Sequence, residues 1–540
     1  MPAVNFKARD FVERWKDKGN EDQDSHKFWF DFFENVLECS DPYEYLDFEK
    51  KVEGGKIDIY VNHTKVIIEQ KSRNVSLTKP KKQSDGSLLT PFEQAKRYDN
   101  KLGVHDKANW IIICNFKALM IYDMASDPNG HNPIEIQLQD IPGNTNLVRF
   151  LIDDKFKDVI IEQQLSFKAG KLIGKLYDAL KPRYRDPDNE NSLKSLNKLC
   201  VRLVFCLYAE DAGLFNPKDN HMFGNYLKQF SARDIRRRLI DLFTVLNQRP
   251  EERDTYLEAD DPALAKFPYV NGNLFKFESK ETEEIPPFTD EIKHLLITEC
   301  SDSLDWSKIS PTIFGALFES TLNQVTRRVR GMHYTSVENI HKVIDPLFLD
   351  DLKEELNAIK KISVAKKKEL AVVRFQDKLA SLKFLDPACG SGNFLTETYI
   401  CLRRLENELI RSYTDVSFLE SEDFNPVKVS INQFYGIEIN DFAVAVANTA
   451  LWIAESQMLQ ETESIIKRSI EFFPLRSHSN IYCANALRID WNVVVPKTEL
   501  SYIIGNPPFS GARTMIKPEK EDAELIWADT KNRGNLDYVT

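Results

Sequence analysis

The sequence predicts an α/β protein of several domains, and three observations carry that prediction. Short apolar runs rich in β-branched residues gather near the N-terminus, at 56–61, 65–71, 110–115 and 118–122. Beyond about Leu165 the strand patterns cease and apolar residues recur at helical spacing. In the last third, two apolar strands open into small, polar loops, at 386–394 and 506–509. A chain of 540 residues is too long for one core. We expect domains over 1–160, 161–309 and 310–540.

Composition excludes several classes. Apolar residues make up 42% and charged ones 29%, a globular balance in which no apolar run approaches the roughly 18 residues a membrane helix needs. The first two dozen residues are charged and unlike a signal peptide. Eight cysteines are scattered without a CxxC pair, which argues against a zinc module and a disulfide framework and for a reducing, intracellular setting. A net charge of −11 does not advertise nucleic-acid binding, yet local basic clusters (Lys79, Lys81 and Lys82; Arg236, Arg237 and Arg238; Arg327, Arg328 and Arg330) permit it.

In chain order, 24–39 has a helical, aromatic-rich pattern (Phe28, Trp29, Phe32, Phe33) with Glu34 on its polar side. Residues 56–61 and 65–71 follow as a hairpin of two short strands. Glu69 and Lys71 are two apart and leave one face of the second strand, where Asp58 of the first can meet them. Two carboxylates and a lysine at a strand end make a hard-cation site with a built-in ammonium: the acids hold Mg²⁺ and the lysine positions or activates a water for attack on phosphorus. A surface ion pair is the alternative. The arrangement resembles the PD-(D/E)XK nuclease core, with Glu69-Gln70-Lys71 as its E-x-K and Asp58 as its upstream acid, although no proline precedes Asp58. The resemblance implies catalytic roles for Asp58, Glu69 and Lys71 and metal ligation by Asp58 and Glu69. It extends to a helix beginning at Pro91, which places Gln94 and Tyr98 one turn apart as in the Q-x-x-x-Y helix of several such nucleases. Strands at 110–115 and 118–122 are compatible with its α-β-β-β-α-β order, and Glu34 is a candidate for an extra acid.

The middle of the chain carries helical patterns at 193–212, 235–246 and 292–298 between Pro-, Asp- and Asn-rich breaks, with no internal repeat. We read it as an all-helical spacer.

Beyond it, 310–322 and 337–348 read as helices, 353–378 as one charged helix, and Arg330-Gly331-Met332-His333-Tyr334-Thr335-Ser336 lies between the first two. Then comes Asp386-Pro387-Ala388-Cys389-Gly390-Ser391-Gly392-Asn393-Phe394, a strand passing through a glycine loop straight into a helix, which lets backbone N–H groups approach a nucleotide-like cofactor. The strand at 433–440 ends at Glu438-Ile439, where a carboxylate can accept both ribose hydroxyl hydrogens. Asn485-Ala486-Leu487 follows the strand at 481–483, and Ile503-Ile504-Gly505 opens into Asn506-Pro507-Pro508-Phe509.

Together these stretches resemble the S-adenosylmethionine-dependent amino-methyltransferases of DNA, on a Rossmann-like fold. The resemblance implies that Asp386, Pro387, Ala388, Gly390, Gly392, Glu438 and Ile439 hold the cofactor, that Asn485 and Leu487 hold its adenine, and that His333, Tyr334 and Thr335 lie against its methionine part. Ser336 departs from a Y-T-P pattern, and Asn485 stands where Asp is frequent. Asn506, Pro507, Pro508 and Phe509 are the implied catalytic residues. The Asn506 amide oxygen and the Pro507 carbonyl bind the two hydrogens of an exocyclic amine, and Phe509 stacks on a base turned out of the duplex. No protein nucleophile is needed, so Cys389 is not expected to be catalytic. The tetrad most resembles the gamma-class enzymes acting on adenine N6 rather than cytosine N4.

A nuclease hairpin, a helical spacer and a methyltransferase in that order resemble the type IIL (MmeI-like) restriction-modification enzymes. This implies Mg²⁺ and S-adenosylmethionine as cofactors, double-stranded DNA with a flipped adenine as partner, no membrane, and a prokaryotic cytoplasmic setting. Such enzymes continue beyond the point where this chain stops, with residues 535–539 looking like the start of a helix. We therefore expect a C-terminally truncated chain without its target-recognition domain. The alternatives are a modification-only methyltransferase of a phage-defence system with an inactive nuclease, and a non-catalytic DNA-binding remnant.

Overall fold

The structure, a computed structural model, describes residues 6–53, 55–82, 86–103, 106–125, 127–131, 133–143, 145–152, 157–270, 274–277, 283–312, 314–315, 335, 337–412, 426–467, 480–527 and 536–538. The chain forms two compact units, Met1–Gln164 and Leu165–Thr540.

The first unit is built on a six-stranded sheet of order β1-β2-β3-β6-β7-β8. Its strands are β1 (Leu46–Val52), β2 (Gly55–Val61), β3 (Val66–Gln70), β6 (Trp110–Cys114), β7 (Ala118–Asp123) and β8 (Ile134–Gln137); β4 (Lys81–Lys82) and β5 (Leu88–Leu89) form a separate small hairpin. Only β3 and β6 pair in parallel; the other neighbours are antiparallel. Helix α1 (Phe6–Trp15) and helix α2 (Glu21–Asn35) precede the sheet, and α3 (Pro91–Asp99) crosses between β3 and β6. Alternation along each strand gives the sheet two apolar faces. Ile59, Val61, Val66, Ile68 and Ile112 pack on Phe28, Trp29 and Phe32 of α2, while Tyr60, Ile67, Ile111 and Ile113 pack with Phe92 and Ala95 of α3.

The local chemistry that starts these helices is explicit. Asn20 caps α2, its side chain accepting from the N–H groups of Asp22 and Gln23. Thr90 and Glu93 form a capping box at α3, with Pro91 in the first turn. The aromatic pattern placed α2 at 24–39, but the cap moves its start to Glu21. Strand β1, absent from the sequence reading, is LDFEKKV, with only Leu46 buried. So little burial leaves no apolar alternation to detect.

Among its described residues the second unit is helical or irregular from Leu165 as far as β9. Its long helices in the expected spacer are Lys157–Leu180, which begins in the first unit, Glu190–Asp211 and Ala232–Asn247. Their buried faces belong to one apolar core that runs on without a break to Phe384, Phe434 and Ile504. The charged stretch expected as one helix is two, Asp350–Lys360 and Ala365–Ser381, interrupted at 361–364. A four-stranded, all-parallel sheet follows, of order β11-β10-β9-β12: β9 is Phe384–Asp386, β10 Phe434–Glu438, β11 Asn480–Cys483 and β12 Tyr502–Ile503. The helices Asn393–Arg411 and Asp441–Ile466 connect β9 to β10 and β10 to β11. Residues 536–538 are irregular rather than the start of a helix: Tyr538 N–H donates to the Ser510 carbonyl at 2.9 Å.

Candidate functional site

In the first unit the β2/β3 register carries Asp58 to the end of β3, where its Oδ2 accepts from the Gln70 N–H at 2.9 Å. Glu69 is fully buried, and its Oε1 lies 2.5 Å from Lys71 Nζ. Its Oε2 is buried with no hydrogen-bond partner. Lys71 is fixed by its own N–H, which donates to Cys114 of β6 at 2.7 Å. Gln70, pointing to the opposite face, accepts from Trp29 Nε1 of α2 at 2.8 Å. The structure thus brings Asp58, Glu69 and Lys71 together.

Sequence reasoning missed a third acid, Glu21. Its Oε1 is 3.6 Å from Lys71 Nζ, and its Oε2 accepts from the Ser72 N–H at 3.1 Å. Glu34, offered as the extra acid, is exposed and influences Arg14 instead. The turn that Asn20 caps brings the first residue of α2, not its last turn, to the strand end. The signal available was the Asn20-Glu21 cap itself. Gln94 is half-buried on α3, which packs on the sheet face that Glu69 shares with Ile67 by alternation. Its side chain makes none of the hydrogen bonds recorded at that strand end among the described residues.

Electrostatics fit a cation. Burial, reinforced by Asp58, pushes the Glu69 carboxyl up to about 8, and burial also raises Asp58. Burial works against the Lys71 ammonium, but Glu69, Asp58 and Glu21 outweigh it and hold the lysine above its ordinary value. One ammonium facing three acids, with a buried carboxylate oxygen unsatisfied, is a donor set that a hard divalent cation completes. Among the described residues these acids are not one of the groups of three whose ligand atoms all lie within 4.8 Å. They are spread wider than a closed cluster of ligands.

In the second unit the carboxyl ends of the parallel strands carry the predicted residues at 386–392, 438–439, 485–487 and 506–509. From β9, Asp386 is buried and its Oδ1 accepts from the Ala388 N–H at 3.0 Å. Pro387 and Ala388 are half-buried beside it. Gly390 and Gly392 take φ +52° and +80°, and a Cβ on Gly392 would come 2.9 Å from Ala447, so the turn needs glycine there. A Cβ at Gly390 would meet nothing within 4 Å, leaving a free approach to the loop. Glu438 braces this loop, accepting from the N–H groups of Gly390 (3.0 Å) and Asn440 (2.8 Å), with Ile439 exposed next to it. Burial pushes Asp386 up to about 7, and Glu438 adds to the rise. Two carboxylates around an open glycine turn fit a ligand bearing hydroxyls and positive charge.

Asn485 lies just beyond β11, half-buried, and its Oδ1 accepts from the Leu487 N–H at 2.9 Å. Its Nδ2 donates at 2.9 Å to Asp522, a residue the sequence reading did not single out. Burial opposes ionisation of Asp522, yet hydrogen bonds from Asn485, Arg488 and Tyr538 hold its carboxyl below the usual range.

From β12, Ile504 N–H donates to Leu385 of β9 at 2.9 Å, which sets the next residues beside Asp386. Gly505 has φ +155°, and a Cβ there would fall 2.4 Å from Asp386 Oδ1. Asn506, Pro507, Pro508 and Phe509 follow, all exposed, Phe509 at 76%. Asn506 Nδ2 donates to Thr335 Oγ1 at 3.1 Å. That bond engages the Asn506 amide nitrogen rather than its oxygen. His333 and Tyr334 lie outside the described residues. Cys389 is buried, its Sγ against Gly436, and burial holds its thiol well above the ordinary range, which suits a packing role.

Comparison with known proteins adds three matches along the chain: "MmeI, N-terminal domain" over 4–183, "MmeI, helicase spacer domain" over 194–275 and "MmeI, DNA-methyltransferase domain" over 360–540. DNA methyltransferase A of Bacillus subtilis (strain 168) is 35% identical over 448 residues, covering 80% of this chain and 47% of that protein. The solved type IIL restriction-modification enzyme MmeI in complex with DNA is 37% identical with a TM-score of 0.59, covering 69% of this chain and 47% of that one. The chain spans about half the length of the relatives it matches.

Proposed function

Because the chain belongs to the MmeI-like family of restriction-modification proteins, we propose that its second unit takes part in methylating adenine N6 of DNA and its first in Mg²⁺-dependent cleavage of double-stranded DNA. The observation that carries the first part is the seating of the Asn506 loop beside Asp386, with Asn506 held by Thr335. S-adenosylmethionine, when bound, supplies a methyl group made electrophilic by a sulfonium. Glu438 would accept ribose hydroxyl hydrogens beside the loop it braces, and Asp386 lies beneath the glycine turn. The Asn506 amide oxygen and the Pro507 carbonyl accept the two hydrogens of the amine, drawing its nitrogen lone pair out of conjugation with the base. Phe509 offers its exposed face to the extruded base.

For cleavage, Asp58 and Glu69 would hold Mg²⁺, which supplies charge neutralisation at the phosphate. Lys71 holds the attacking water and places a positive charge beside it, and Glu21 keeps Lys71 aimed along the strand end. The four-residue Asn-Pro-Pro-Phe pattern supports adenine rather than cytosine. Incubation with labelled S-adenosylmethionine and duplex DNA, followed by mass spectrometry of the nucleosides, tests this. N6-methyladenine is expected; N4-methylcytosine, or no transfer by a chain that binds both ligands, overturns the assignment. Nicking or cutting that needs Mg²⁺ tests the other unit.

A further inference from the structure

Behind the cofactor loop three side chains converge that neither proposed reaction uses. The helix Asn393–Arg411 carries Glu397 and Cys401 one turn apart, hence on one face. His341 reaches them from the helix Val337–Ile344. His341 Nε2 is 3.2 Å from Glu397 Oε1, and Cys401 Sγ is 4.0 Å from the first and 3.8 Å from the second. These three atoms lie as the corners of one face of a coordination tetrahedron would. Bonds of about 2.0 Å to N and O and about 2.3 Å to S give tetrahedral edges of roughly 3.3–3.6 Å, and each separation here is within about half an ångström of its edge.

The surroundings complete the pattern. A metal-bound histidine donates its other ring N–H to a carboxylate, and a metal-bound carboxylate is itself hydrogen-bonded. His341 Nδ1 is 2.8 Å from Asp345 Oδ1, and Thr312 Oγ1 donates to Glu397 Oε2 at 2.8 Å. A protonated His341 paired with Asp345 and Glu397 would account for the two carboxylates but not for the thiol converging on the same two atoms. Glu397 and Cys401 are buried, while His341 keeps part of its ring open, leaving a route for an ion to enter.

We infer that His341, Glu397 and Cys401 form a binding site for a transition-metal ion of the zinc class. The thiolate selects against Mg²⁺ and Ca²⁺, so this site is chemically distinct from the acids of the first unit. It ties the helix that begins just after Thr335 to the helix that begins at the glycine loop. Its function is to hold these two segments in register, whatever reaction the unit catalyses.

The test uses the whole chain, stripped with a chelator and titrated with Co²⁺ alone, followed by Zn²⁺. One equivalent of Co²⁺ is expected to give tetrahedral ligand-field bands together with a thiolate-to-cobalt charge-transfer band, both abolished when Zn²⁺ displaces it. Cys401→Ser should remove the charge-transfer band, and His341→Gln should weaken Zn²⁺ binding about tenfold or more. The wild-type spectrum is informative even should a variant fail to fold. Co²⁺ uptake without a thiolate band overturns the inference. So does a band that survives Cys401→Ser, which would belong to another cysteine such as the exposed Cys483.

Discussion

Glu69→Gln gives the sharpest prediction, because it isolates one titration. The carboxyl moves from an ordinary 4.5 to about 8 on folding, through burial and the neighbouring Asp58. A folded-state value above the unfolded one means that the folded chain holds the proton more tightly. The stability this confers is complete below about pH 4.5 and drains away as pH rises through about 8. One proton gives a slope of about 1.4 kcal/mol per pH unit, so the loss by pH 7.5 is on the order of 4 kcal/mol. Glutamine keeps the shape and cannot ionise. Asp58 titrates in both proteins, so the difference between them reports Glu69. The assay is hydrogen exchange of the β3 and β6 amides between pH 5 and 8 with chelator present. The wild type should lose protection relative to Glu69→Gln as pH rises, and Mg²⁺ should restore much of it to the wild type alone. Parallel curves for the two proteins would show that Glu69 is not held protonated by its surroundings, and the cation-completed cluster would fall with it.

Four other substitutions have expected outcomes. Lys71→Ala should abolish Mg²⁺-dependent cleavage while leaving methyl transfer unchanged, measured on one DNA substrate in parallel assays. Asn506→Ala should lower kcat for methyl transfer by about a hundredfold or more with cofactor affinity retained, and Thr335→Val by roughly tenfold or less, the worth of one hydrogen bond that orients the amide; cofactor binding by calorimetry separates the two effects. Gly505→Ala forces a methyl group to within 2.4 Å of Asp386 at a backbone angle that favours glycine. It should abolish transfer and lower Tm, whereas a normal melting curve with full activity would contradict the contact.

What the sequence disclosed depended on the range of the pattern. Strand alternation fixes which side chains share a face, so Asp58, Glu69 and Lys71 were legible together. The glycine loop and Asn506-Pro507-Pro508-Phe509 were legible as strand ends because apolar runs precede them. Glu21 was not, since the aromatic pattern that advertises α2 starts seven residues later, at Phe28. The Asn506–Thr335 contact joins positions 171 apart, and Asn485 meets Asp522 across 37, separations at which no periodicity carries information. The lack of a CxxC pair argues only against a short-motif zinc module, and the proposed metal site is not of that kind. His341 and Cys401 are 60 residues apart on two helices, where no short motif can unite them.

The order β11-β10-β9-β12 puts the turn after β9 and the Asn506 loop after β12 on adjacent strands, although more than a hundred residues separate them in the chain. Neighbouring strands lie about 4.7–4.9 Å apart, a spacing set by backbone hydrogen bonds and indifferent to side chains. In the proposed transfer, the separation of these two loops is therefore set by backbone pairing. Sequence drift in the connecting helices can alter affinity or stability without resetting that distance.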